Sequence, residues 1–145
     1  MFAYFDGSLE DFLKHITEIH DNRLVKIRLA PATTLGDIGI VSNSYHHVLD
    51  NFAVTHIIKK HSSEKEVLRG QIIIEELDFY LIPEIVSHFD SCTVEKPEDG
   101  RTLIVYSKSY QDCTRFYVEE VRKGRHELAG VTYYKRRRKL TDAKS

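Results

Sequence analysis

The chain is predicted to be an α+β protein in which helices pack on a four-stranded antiparallel sheet, with an extra helix and strand at the N-terminus. Two observations carry this. Apolar residues recur at helical spacing in stretches of the first ninety residues. The chain from Cys92 to Lys135 then breaks into four short β-branched and aromatic runs separated by turn residues. Helices followed by a block of strands segregate into layers, the α+β pattern.

Taken in order, "SLEDFLKHITEI" (8–19) sets Leu9, Phe12, Leu13, Ile16 and Ile19 on one helical stripe, with Ser8 as N-cap and Asp11 three residues on. His15 and His20 then fall on the helix surface. "RLVKIRLA" (23–30) alternates Leu24, Lys26 and Arg28 against Val25, Ile27 and Leu29, a strand pattern. "PATTLGDIG" (31–39) reads as a loop before a short "IGIV" strand. From Asp50 the period is helical again, with Val54, Ile57, Ile58 and His61 on one stripe and His56 and Lys60 on the adjoining face. "SSEKEVLRG" (62–70) offers a Ser63–Glu66 capping box and Gly70 as a stop, and "EELDFYLIPEIVSHF" (75–89) continues as a helix broken near Pro83. The meander follows: "CTVE", "RTLIVYSK", "TRFYVEEVR" and "ELAGVTYYK", joined by "KPEDG", "SYQDC" and "KGRH". This divides the chain into an N-terminal extension (1–45), a main domain (46–135) and a basic, flexible tail (136–145).

A chain of 145 residues with 41% hydrophobic and 30% charged side chains has enough apolar mass for one packed core. No apolar run approaches the eighteen or so residues of a membrane span. The acidic start "MFAYFDGSLED" lacks the basic-then-apolar order of a secretion signal, so a cytoplasmic address with no membrane partner is expected. Cys92 and Cys113 form no CxxC and are expected as reduced thiols. The formal charge of −1 hides an asymmetry: residues 1–100 carry 9 Lys+Arg against 17 Asp+Glu, and residues 101–145 carry 12 against 5. That is a localised basic half, which serves either to bind an anion or to neutralise the acidic half.

"THIIKKH" (55–61) is the densest group of titratable side chains. His56 and His61 are five apart, which is wrong for two metal ligands on one helix face, and no carboxylate or third histidine stands close by. No metal and no cofactor is therefore expected. A helix turned by one residue exchanges His56, Lys60 and His61 at its inner face. Among the strands, Thr132 and Tyr134 are two apart and share a face. Arg122 shares parity with Val118 and Glu120, so Glu120 either holds its guanidinium for a task or forms a plain surface pair with it.

In this order, "THIIKKH", "IIIEELDFYLIPEIV", "LIVYSK", "FYVEEVR" and "GVTYYK" resemble the phage-encoded nuclease families grouped with barnase, EndoU, colicin-type and RelE-like nucleases, which occur as toxin-like domains of phage and mobile-element proteins. The resemblance spans about residues 45–135. It implies helices on a four-stranded antiparallel sheet and metal-independent endoribonuclease chemistry, with the RNA 2′-hydroxyl as internal nucleophile. Such cleavage needs a base, an acid and fixed cations around the phosphorane. Carried over position by position, the resemblance makes His56 or His61 the base or acid. Lys108 and Arg122 become the charge stabilisers, and Thr132 and Tyr134 further catalytic groups. It implies RNA as substrate, with an immunity or antitoxin protein or a phage head protein as partner, and leaves oligomeric state open. The alternatives are a non-catalytic RNA- or protein-binding domain of the same fold and a phage structural accessory protein.

Overall fold

The computed structural model of the chain describes residues 3–18, 23–31, 45–61 and 71–137. Strand β1 (Ala3–Tyr4) leads to helix α1 (Leu9–Glu18), then β2 (Val25–Pro31), β3 (His46–Asp50), α2 (Asn51–His61) and β4 (Gln71–Ile72). A 3₁₀ helix (Glu76–Leu81) runs into α3 (Ile82–Ser87). The meander β5 (Ser91–Glu95), β6 (Leu103–Ser109), β7 (Cys113–Arg122) and β8 (Glu127–Arg137) follows.

The meander forms as expected and is antiparallel throughout, but it is only half of the sheet. Among the described residues the sheet has eight strands in the order β1-β2-β3-β8-β7-β6-β5, with β4 also paired to β8. The expected four-stranded sheet is thus corrected to a larger, mixed one. β3 lies parallel to the start of β8, His46 opposite Glu127, while β4 lies antiparallel to its end. β2 pairs with β3, and β1 runs parallel to β2. The segment set apart as an N-terminal extension therefore supplies two strands and a helix to the same sheet and core. The expectation of helices over residues about 50–88 is likewise corrected: β4 lies between them after the expected Gly70 stop, and the piece before Pro83 winds as a 3₁₀ helix. Pro83 sits in the first turn of α3, where its missing N–H costs no helical bond. The expected "IGIV" strand and the Ser63–Glu66 box with its Gly70 stop lie outside the described residues.

The helices cover one face of the sheet. Phe12 and Leu13 of α1, Val54 and Ile57 of α2, Phe79 and the α3 residues Ile82, Ile85 and Val86 close over Ile27, Leu49, Ile104, Leu128 and three tyrosines. Tyr106, Tyr117 and Tyr133 sit on the three central strands with no exposed surface. Their rings meet at 6.3 and 5.6 Å, contacts worth about 1 kcal/mol each beyond burial. Ser8 caps α1 through the Asp11 N–H at 3.1 Å, as its position predicted. Asp50 does the same for α2 through the Ala53 N–H at 2.7 Å.

Polar anchors complete this layer. The Asp78 carboxylate takes Lys135 Nζ at 2.8 Å and Arg115 Nη2 at 2.9 Å, and Tyr133 donates to the Asp78 carbonyl at 2.7 Å. Lys135 is buried at the end of the main domain, and the first two residues expected in the tail, Arg136 and Arg137, continue β8. Cys92 and Cys113 are free thiols on separate strands.

One irregularity governs what the other face carries. Between Val118 and Glu119 the register slips, so Val118 faces Thr132 while Glu119 faces Gly130, and Val131 is the extra residue of a β-bulge. A one-residue insertion reverses side-chain parity. Glu127 and Ala129, before the bulge, consequently share with Thr132, Tyr134 and Arg136 after it the face that carries no helix among the described residues, the helix-free face.

Candidate active site

At one end of the helix-free face, four strands and a turn deliver their polar residues to one place. Period two puts Lys26 and Arg28 of β2 on this face while Ile27 enters the core. Register then sets Tyr4 beside Lys26, and His46 beside Glu127, with Arg122 on the far side of Glu127. A cleft of about 380 Å³ opens here, lined by Tyr4, Arg28, His46, Gly124, Arg125, His126 and Glu127. A volume of this size accommodates a phosphodiester with its flanking sugar.

Its floor is a buried ion pair. Lys26 Nζ donates to Glu127 Oε1 at 2.7 Å, with side-chain exposures of 0% and 2%. The Tyr4 hydroxyl donates to the other carboxylate oxygen. Burial pushes the Glu127 carboxyl up, but the bonds from Lys26 and Tyr4 and the charges of Lys26 and Arg125 outweigh it and leave the group below the usual carboxylate range. Burial, followed by the bond to Glu127, pushes the Tyr4 phenol up. The Arg28 guanidinium lies 4.1 Å from the centre of the Tyr4 ring, a cation–π contact that fixes its plane.

The wall is the β7–β8 turn. His126 adopts the left-handed conformation, φ 54° and ψ 46°, and is the one non-glycine residue with positive φ among the described residues. Its carbonyl accepts the His46 N–H at 3.1 Å, its N–H reaches the Lys123 carbonyl at 3.2 Å, and its ring stacks on Tyr45 at 5.0 Å. For a side chain of this type the conformation costs about 1 kcal/mol or more, which these contacts offset. Among the described residues of the cleft and its floor, Lys26, Arg28 and Arg125 are cationic and Glu127 is the carboxylate, an electropositive balance. His46 and His126 are among the cleft's lining residues, the His126 ring lying against the buried Tyr45. Among the described residues no three His, Cys, Asp or Glu side chains are grouped to hold a metal ion.

The residues singled out in the sequence are divided by this geometry. Arg122, Thr132 and Tyr134 lie on the helix-free face. Arg122 is in the row of Glu127 and His46, with its Nε 3.7 Å from Glu120. Thr132 and Tyr134 stand farther along the strands, Tyr134 stacked on Phe116 at 5.0 Å. His56 is exposed on α2, in the helical layer. Position 61 closes the same helix, and its side chain lies outside the described residues. Lys108 is opposite Arg115 on the helix side, and its Nζ donates to the His88 carbonyl at 2.8 Å. His56 and Lys108 are thus on the opposite side of the sheet from Arg122.

Tyr4, Lys26, Arg28, His46, Arg125, His126 and Glu127 were missed in sequence. A signal existed in "KGRHE" (123–127), where cations, an imidazole and a carboxylate crowd one turn. It is legible as a turn but not as a site without the strands that flank it. No helix among the described residues is long and apolar enough to cross a membrane.

A family model described as phage-Barnase-EndoU-ColicinE5/D-RelE like nuclease3 matches residues 26–143. The match begins at Lys26, ahead of the resemblance read from about residue 45, and takes in every cleft residue except Tyr4. Comparison with curated proteins and with solved structures returns no match. With residues 26–143 of the 145 covered by that model, the chain belongs to the phage-Barnase-EndoU-ColicinE5/D-RelE-like nuclease 3 family.

Proposed function

We propose that this chain is a metal-independent endoribonuclease of a phage or mobile element, and that cleavage takes place in the cleft at the β7–β8 turn. One observation carries the reading. Two histidines, His46 and His126, stand beside two arginines, Arg28 and Arg125, over a carboxylate whose charge is already neutralised by Lys26. A phosphodiester entering this space meets cations on its non-bridging oxygens and imidazoles near its esterified ones. One imidazole takes the proton from the 2′-hydroxyl as that oxygen attacks phosphorus, and the other gives a proton to the departing 5′-oxygen. The products are a 2′,3′-cyclic phosphate and a free 5′-hydroxyl. Arg28, Arg125 and Arg122 oppose the charge that grows on the phosphorane.

Glu127 is poorly suited to be the base. Both of its oxygens are engaged, and a carboxylate held below its ordinary range is a weak proton acceptor. Its role in this scheme is to hold Tyr4 and Lys26, and through Tyr4 the plane of Arg28.

The test compares cleavage of mixed-sequence RNA and of the matching DNA by the wild type and by His46→Ala, His126→Ala and Arg28→Ala, with and without EDTA. Turnover on RNA only, unaffected by EDTA and lowered about a hundredfold or more in each variant, is expected. His56→Ala and Lys108→Ala, measured alongside, locate the reaction. Loss of turnover in those two with the three cleft variants intact would move it to the helical side of the sheet. Equal cutting of DNA, or a metal requirement, would overturn the mechanism.

A further inference from the structure

Beyond the cleft the helix-free face continues as a track of a different composition. The row after Arg122, Glu127 and His46 holds Glu120, Ala129, Val48 and Arg28. The next contains Val105, Val118 and Thr132; then come Ser91, Ser107, Phe116 and Tyr134; and last Ser109, Thr114 and Arg136. No acidic side chain stands in those last three rows. Phe116 and Tyr134 lie flat against one another, centroids 5.0 Å apart and planes 12° apart, both half-exposed. The exposed Arg136 guanidinium sits 5.7 Å from one ring and 5.4 Å from the other. Hydroxyls from Ser91, Ser107, Ser109 and Thr114 rim the pair.

From these observations we infer that Phe116, Tyr134 and Arg136 form a base-stacking subsite for single-stranded nucleic acid. It is laid on the same face as the reaction cleft and receives a nucleotide upstream or downstream of the cut bond. Half-exposed aromatic rings on a sheet, next to a cation, offer a base its π-face and the phosphate a counter-charge without reading sequence. Position supports the same conclusion. Phe116 is six residues along β7 from Arg122, about 20 Å at strand rise, the reach of a few nucleotides of extended strand. The bulge at Val131 is what lets both sites share a face; without it Tyr134 would point into the helices. The subsite acts through the Tyr134 ring and not its hydroxyl. It rests on the nucleic-acid reading of the face but not on the cleavage mechanism.

The experiment measures affinity for a fluorescent 2′-O-methyl oligouridylate of about ten nucleotides, a single strand with no free 2′-hydroxyl to react. The double variant Phe116→Leu with Tyr134→Leu should bind roughly five- to a hundredfold more weakly, Tyr134→Phe should bind like the wild type, and Arg136→Gln should lower the salt slope by about one. Because the Leu variant could lose its fold, a second arm uses the wild-type protein and the same oligonucleotide with one abasic nucleotide moved along its length. Affinity should dip when the missing base is a few nucleotides from the position that cleavage of ordinary RNA marks as the cut. A flat profile, or a folded Leu variant with undiminished affinity, overturns the subsite. A dip that depends on where the missing base sits, without cleavage of any RNA, leaves the subsite standing and removes the mechanism; cleavage with a flat profile does the reverse.

Discussion

The Lys26 ammonium lies 2.7 Å from the Glu127 carboxylate, with neither side chain reaching water. A hundred and one residues of chain separate the two. Breaking one half of a buried pair leaves the other charge desolvated, at a cost of about 3–5 kcal/mol. Glu127→Gln and Lys26→Met should each destabilise by about that much in urea unfolding. The double variant should cost much less than the sum of the two. Additive losses would show that the pair is not coupled.

Acid stability should depend on the same carboxylate and on Asp78. Glu127 and Asp78 are both held below their ordinary values; in each case burial works upward and is outweighed. For Asp78 the opposing contacts are the Glu75 N–H, Lys135 and Arg115. Groups depressed on folding add stability that is fully present above the unfolded-state value and is lost as pH falls through the lower folded value. Melting temperature should therefore hold from neutrality down to about pH 5 and fall below about pH 4. Glu127→Gln should flatten part of that fall as well as lower the plateau; an unchanged acid slope would contradict it.

Asp78→Ala strips the shared anion from Arg115 and Lys135, whose side chains are 8% and 10% exposed. The expected loss is again about 3–5 kcal/mol. Asp78→Asn, which retains an acceptor for the Glu75 N–H at 2.8 Å, should lose less. Chemical denaturation of the two variants side by side decides this; equal losses would mean that the carboxylate charge contributes nothing.

His126 offers a separation of chemistry from folding. Glycine adopts φ 54° without penalty, so His126→Gly should change stability by no more than about 1 kcal/mol, lost Tyr45 stacking set against relieved strain. Turnover of RNA should nevertheless drop at least a hundredfold. A variant that melts like the wild type and still cleaves at the wild-type rate would take His126 out of the mechanism.

Gly130 is required by a neighbour. A Cβ there would collide with the Tyr117 hydroxyl and lie 2.9 Å from its Cζ and 3.1 Å from Leu49 Cδ1. Gly130→Ala should cost about 1–3 kcal/mol. The Tyr117 hydroxyl is buried with no partner among the described residues, so Tyr117→Phe should be neutral or stabilising by up to about 1 kcal/mol and should recover part of the Gly130→Ala loss. A double variant as unstable as the sum of its parts would place the clash elsewhere.

What could be learned from the chain alone was whatever depends on neighbours in sequence. Ser8 caps α1 because its partner N–H is three residues away. The meander from Ser91 to Arg137 was legible because its strands are joined by turns of a few residues and alternate with period two. The nuclease family was legible from the order of short segments. The cleft was not, because Tyr4, Lys26, His46 and Glu127 meet through the pairings β1–β2, β2–β3 and β3–β8, the first and last of them parallel. Parallel neighbours require long connections, so no local pattern announces them. His56 stood out in "THIIKKH" for density of titratable groups, a property of the linear chain, yet α2 carries it on the helical side. Parity was a sound guide within a strand, and Thr132 and Tyr134 do share a face. The single extra residue at Val131 set that face with Glu127 as well. Beside that bulge Tyr117 and Leu49 pack on Gly130 across the sheet, a contact that exists only after the strands have assembled.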